Sequence, residues 1–149
     1  MGILLEALKE NKNIYFVSSD NKNLKILQPR VPDNYFTKNN YEDNTTKRIC
    51  FSTSINGCLM GLSQNLKNKE FYVHQAIGDY HIIHPTILQV PDSKITKEVW
   101  LLKPTKIKVI GKILVYEDDK KPGHKFTYGD GKVAELYGWK YKWIEKKWY

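Results

Sequence analysis

The apolar residues of this chain come in short runs, and this pattern limits the fold more than any other feature. Ile14-Tyr15-Phe16-Val17, Ile49-Cys50-Phe51-Ser52, Phe71-Tyr72-Val73-His74 and Val99-Trp100-Leu101-Leu102 are rich in β-branched and aromatic residues. Each ends within a few residues at Asn, Asp, Lys or Pro, so each reads as a strand rather than as part of a helix. A further strand is expected at Tyr80-His81-Ile82-Ile83, and a longer one over 107–115 after Lys103-Pro104-Thr105. Only two stretches have helical spacing. Leu4, Leu5 and Leu8 alternate with Glu6, Lys9 and Glu10 over 3–10. Beyond the candidate N-cap Ser54, residues Ile55, Cys58, Leu59, Leu62 and Leu66 share one face of a helix over 55–66. The expected class is α+β and β-dominated, with helices gathered in the N-terminal half.

A chain of 149 residues that is 41% hydrophobic suits one domain over 1–149. Within it, 1–116 reads as the core, and 117–149 as a Lys- and aromatic-rich hairpin that completes the sheet. Glu117-Asp118-Asp119-Lys120-Lys121-Pro122-Gly123 is expected to be an exposed turn, and Gly129-Asp130-Gly131 a hairpin turn. Residues 29–48, with two prolines and several asparagines, form a long loop carrying Tyr35, Phe36 and Tyr41.

No run approaches the roughly 20 apolar residues of a membrane-spanning helix. Met1-Gly2-Ile3-Leu4-Leu5-Glu6 reaches acidic charge too early for a secretory signal. The expectation is a soluble cytoplasmic chain with no membrane partner. Twenty-four basic against sixteen acidic residues give a net charge of +8, with Arg30 and Arg48 the only arginines. This charge favours anionic partners such as nucleotides, nucleic acid or an acidic protein face. An AT-rich genome would give the same Lys/Asn/Ile bias. Cys50 and Cys58 form no CxxC pair and read as reduced packing residues. His74, His81, His84 and His124 lack metal-ligand spacing, so no metal is expected.

Three stretches could carry chemistry. Tyr137, Trp139, Tyr141 and Trp143 alternate with Gly138, Lys140 and Lys142. Such a ladder is either a stacking platform for single-stranded nucleic acid or the core face of a half-buried strand, and period-two burial suffices to explain it. Ser52-Thr53-Ser54 lies where a strand runs into a helix, and its hydroxyls can hold a ribose or phosphate or simply cap the helix. Glu98 opens a strand, where a carboxylate can hold a sugar hydroxyl and stabilise positive charge on a sugar carbon, or simply face solvent.

Taken in chain order these pieces resemble the ADP-ribosyltransferase fold, most nearly its small rifampin-modifying branch. The first-strand motif is matched by Tyr15-Phe16-Val17-Ser18, followed by Leu24-Lys25-Ile26-Leu27-Gln28-Pro29-Arg30. Next come Ile49-Cys50-Phe51-Ser52, the helix over 55–66 and Phe71-Tyr72-Val73-His74. Residues 98–102 and Pro104-Thr105-Lys106-Ile107-Lys108-Val109-Ile110-Gly111-Lys112-Ile113 match the closing strands. The resemblance implies two small packed sheets around a cleft that binds NAD and expels nicotinamide. Tyr15, Phe16, Ser18, Phe51, Ser52, Thr53 and Ser54 would then contact the ligand, Arg30 and Arg48 its diphosphate, and Glu98 would be catalytic. Phe16 stands where the family has a first-strand histidine and cannot hydrogen-bond a ribose. Cys50 or Phe51 stands where a second-strand tyrosine belongs, and Glu98 fills the acidic position. The implied activity is transfer of ADP-ribose to a macromolecule. The alternatives are an inactive domain that sequesters a nucleotide or NAD-derived signal, and a basic protein- or nucleic-acid-binding module. The size and lysine content of the chain suit the sequestering form to a phage or mobile-element counter-defence protein, working in the host cytoplasm.

Overall fold

The structure, a computed structural model, describes residues 13–19, 23–62 and 65–146, apart from the side chains of 120–122. The helix expected over 3–10 lies outside them. Seven strands are described: β1 Tyr15–Ser18, β2 Ile26–Leu27, β3 Ile49–Ser52, β4 Glu70–Ala76, β5 Glu98–Leu101, β6 Thr105–Thr127 and β7 Val133–Lys146. Three short helices accompany them: α1 Tyr35–Lys38, α2 Ile55–Met60 and α3 Ser93–Thr96. The strands pair antiparallel in the order β2-β6-β4-β1-β3-β5, with β7 on β6. The β-dominated α+β class is therefore as expected.

The expected pair of packed sheets is corrected to one antiparallel sheet. Period-two patterning gives each strand one buried face, but the central strands here are buried on both. Ile49, Phe51, Val99, Leu101 and Ile107 form one cluster, packed with Phe16 and Tyr80. Val17, Leu59, Phe71, Val73, Ile113 and Val115 form a second, packed with Tyr15 and with Trp139, Tyr141 and Trp143 of β7. Three of the four ladder rings, Trp139, Tyr141 and Trp143, thus complete a core rather than offering a stacking platform, while the first, Tyr137, remains 45% exposed. Gly111 permits this packing, since a Cβ there would lie 2.5 Å from the Trp143 ring.

Several boundaries move for local reasons. Helix α2 stops at Met60 with Gly61 as its C-cap instead of reaching Leu66. Two glycines within one helical face are poor helix formers, and Leu66 is buried in the same cluster without being helical. Residues 80–83 provide a single bridge, Ile83 to Trp100, instead of a strand, and Pro85 then removes the next backbone donor. The turn expected over 117–123 is instead strand. β6 runs through it and carries extra residues relative to β7 at irregularities between Val115 and Glu117 and between Asp119 and His124. The hairpin turn falls at 128–132 as expected. Its tip folds back on the 29–48 loop, where Tyr41 and Tyr128 lie 4.7 Å apart and Lys132 Nζ donates to the Tyr41 hydroxyl at 3.2 Å. No described helix is long and apolar enough to cross a membrane.

His74 is fully buried, its Nε2 2.9 Å from the Ser18 hydroxyl and its Nδ1 without a partner. Burial lowers its pKa from 6.5 to about 4. The unfolded chain therefore takes up this proton below pH 6.5, while the folded chain takes it up only near pH 4. The His74 contribution is complete above pH 6.5 and is lost as the pH falls, by up to about 3 kcal/mol at pH 4. Urea melts of wild type and His74→Gln between pH 7 and 4 are expected to show that the variant lacks this acid-sensitive component.

Candidate functional site

The site begins where two neighbouring strands separate. β1 pairs with β4 through Tyr15, Phe16, Val17 and Ser18, but with β3 only through Tyr15 and Ser52. Beside that single pairing a cavity of about 180 Å³ is lined by residues of β1, β3, α2 and the start of β5. Tyr15, Phe16, Phe51, Ser52 and Glu98 all line it, together with Cys50, Cys58 and Thr96. Ser52 and Glu98 are direct cross-strand partners, so the hydroxyl-rich and acidic stretches meet. The cavity is below the roughly 300–1,000 Å³ of typical ligand sites, so it takes a single ring or a pentose rather than a whole dinucleotide.

The hydroxyls are already committed. Ser52 Oγ donates to the Thr96 carbonyl at 2.7 Å and accepts from Ser54 N–H at 3.1 Å. Ser54 Oγ caps α2 by accepting from Gly57 N–H at 2.9 Å. Thr53 does not line the cavity, and its N–H donates to the Lys97 carbonyl. These bonds hold α2 against α3 so tightly that a Cβ at Gly57 would lie 2.0 Å from the Thr96 carbonyl oxygen. Capping and helix docking thus use the chemistry that the sequence offered to a phosphate.

The remaining residues of interest are dispersed. Ser18 bonds His74, away from the cavity. Phe51 is 3% exposed and belongs to a core cluster. Arg30 is exposed on a loop and pairs through its backbone with Arg48. Arg48 is 1% exposed, with its guanidinium 4.4 Å from the centre of the Trp100 ring. Neither arginine lines the cavity, so their expected place on a diphosphate is not supported by position. Both cysteine thiols are raised by burial to about 12, which makes them inert at neutral pH. Among the described residues no group of three or more His, Cys, Asp or Glu could hold a metal ion.

Glu98 is the polar feature of the cavity wall. Its Oε2 accepts from Trp100 Nε1 at 2.7 Å. Burial raises its pKa, with Asp92 adding to the rise, while the indole N–H and Arg48 oppose it. Asp92 is itself raised by burial. Glu42 is raised to about 7 by burial first, then by Glu98 and Asp92, against the pull of Arg48. Three carboxyls and one guanidinium therefore share a poorly solvated region. Glu42 comes from the loop and carries no periodicity that would single it out, but Trp100 could have been found two residues beyond Glu98 on the same strand face.

No protein-family model, curated protein or solved structure matches the chain.

Two outcomes are expected. Ser54→Ala should cost about 1 kcal/mol, the value of a helix cap, and Ser52→Ala about 2 kcal/mol, since it strands a buried carbonyl; urea denaturation measures both. Glu42 has a folded pKa above its ordinary 4.5, so its contribution is complete below pH 4.5 and is lost as the pH rises through about 7. Glu42→Gln should therefore gain stability relative to wild type at pH 8 and little or none at pH 4.5, as followed by thermal melting.

Proposed function

We propose that this chain is an ADP-ribosyltransferase-like domain that takes the nicotinamide–ribose end of NAD, or the terminal ribose of an ADP-ribose ligand, into the cavity between β1 and β3. The observation carrying this reading is the Glu98 carboxylate on the wall of a ring-sized cavity that Tyr15, Phe16 and Phe51 also line. An ionised carboxylate beside aromatic rings suits a cationic pyridinium or a ribose carbon gaining positive charge. Strand order supports the reading as well: aromatic β1, β3 and acidic β5 are consecutive neighbours, which is the order of roles the resemblance requires. The rest of a dinucleotide would lie outside the cavity.

In this reading NAD supplies a ribose bonded to a good leaving group, and the protein supplies position and charge. Glu98 faces the ribose carbon as the bond to nicotinamide breaks, its electron pair leaving with the ring. A nucleophile on a macromolecular acceptor then forms the new bond to that carbon. A second form of the reading, binding without turnover, is favoured by Phe16, which offers no hydrogen bond, and by the committed hydroxyls of Ser52 and Ser54. That form fits the sequestration of a nucleotide or NAD-derived signal.

Calorimetry with NAD and with ADP-ribose, together with chromatographic assay of nicotinamide, tests the proposal on wild type and Glu98→Gln. Binding by wild type, weakened about tenfold or more in the variant, is expected. Nicotinamide release that Glu98→Gln abolishes assigns turnover, while binding without release assigns sequestration. A folded wild-type protein that binds neither compound overturns the reading.

A further inference from the structure

Arg48 makes an unusual commitment for a buried cation. Its Nη1 donates to the carbonyls of Asp43 at 2.8 Å and Thr46 at 3.0 Å, and lies 3.6 Å from the Asp43 carboxylate. Its Nε and Nη2 have no hydrogen-bond partner although the side chain is buried. Burying a guanidinium is costly, and leaving two donors empty adds to the cost. Pairing alone does not account for an arginine here, since a loop anchor would use the whole fork. The guanidinium also lies near the Cys50 thiol, and its face lies on Trp100, the largest fully buried side chain described. Trp100 in turn spends its only polar atom on Glu98.

We propose that Trp100 and Arg48 are positioning residues for Glu98: the indole N–H holds one carboxylate oxygen, the guanidinium fixes the indole plane, and Oε1 is left for the ligand. This inference rests on the reading of Glu98 as the ligand-facing group. Among the described residues, Oε1 accepts no hydrogen bond. The series is anchored in the loop by Asp43. Burial acts upward on that carboxyl, but hydrogen bonds from the N–H groups and hydroxyls of Thr45 and Thr46 bring it down to about 2. The Asp43 loop thus reaches the cavity through three successive contacts, Asp43 to Arg48, Arg48 to Trp100 and Trp100 to Glu98.

The arrangement also sets the charge on Glu98. Asp92 faces it and disfavours ionisation, as does burial, and Glu42 and the Cys50 thiol lie within its field. The Trp100 N–H and the Arg48 charge act the other way. Both contacts therefore favour the charged form of Glu98, the form that stabilises positive charge on a sugar.

The test begins without ligand. Glu98 is titrated by NMR in chain carrying ¹³C-carboxyl glutamate, with Glu98→Gln identifying its signal. Trp100→Phe keeps an aromatic ring and removes the N–H donor together with part of the buried indole volume, while Arg48→Met removes the charge. Thermal melts establish which variants fold, and Arg48→Gln, which also removes the charge, replaces Arg48→Met if that variant does not. The Glu98 midpoint is expected to move upward in Trp100→Phe and in the Arg48 variant. An unchanged midpoint in folded Trp100→Phe overturns the proposal. With NAD as the probe, Trp100→Phe should weaken binding about ten- to hundredfold, as loss of a hydrogen bond to a charged group does. It should add nothing to Glu98→Gln, and additive losses would overturn the proposal. Shifted midpoints in a chain that binds no NAD support the positioning role and refute NAD as the ligand, so the two failures are separable.

Discussion

The single residue pair joining β1 to β3 is the constraint on which the site depends. A continuous ladder between these strands would have closed the sheet and left no internal space. Because they part after Tyr15 and Ser52, the backbones of both strands border an opening, and residues from either face of the sheet reach it. The strands do not collapse together because each is held on its far side. β4 grips β1 over its whole length, and β5 grips β3 from Ile49 to Ser52. The two core clusters then bury the sheet on both faces, which fixes the width of the opening by packing rather than by hydrogen bonding across it.

Two kinds of polar group border that opening, and their treatment differs. The serine hydroxyls are satisfied within the fold, where they hold helix to helix and set the shape of the wall. The carboxyl of Glu98 is supported on one side only. Its environment is unfavourable to charge apart from one indole N–H and one distant guanidinium, and Glu42 and Asp92 share the same poor solvation. Groups that are costly to keep and incompletely paired are where binding energy can be recovered. The acid region of this chain has that character, whereas the Ser52-Thr53-Ser54 stretch does not.

Local patterns in the sequence located most of the elements that border the site. The strand at Ile49-Cys50-Phe51-Ser52, the cap at Ser54 and the strand opening at Glu98 all depend on neighbours in the chain, and each lies where local rules place it. The resemblance assigns Ser52 and Glu98 to one ligand site, and in the fold they are neighbours on paired strands of one sheet. What could not be read was decided by distant partners. Lys120-Lys121-Pro122-Gly123 has the composition of a turn, yet the strand continues across it because Asp119 and His124 on either side both pair with β7. Arg48 has the composition of a surface cation, yet Trp100 and the Asp43 loop enclose it. Glu42 sits in a polar loop with no periodicity, and only the folded chain brings it near Glu98.

The attachment of α2 to β7 has a consequence for how the molecule is assembled. Asn56 imitates a neighbouring strand: its side-chain oxygen accepts from Trp139 N–H at 3.0 Å and its amide donates to the Trp139 carbonyl at 3.2 Å. A wall of the cavity is thus fastened to a segment 83 residues further along. Such non-local closure is entropically slow, so the earlier strands can form and pair well before the pocket has its final shape. During synthesis the cavity would take its final shape late and abruptly, at the moment β7 docks on α2.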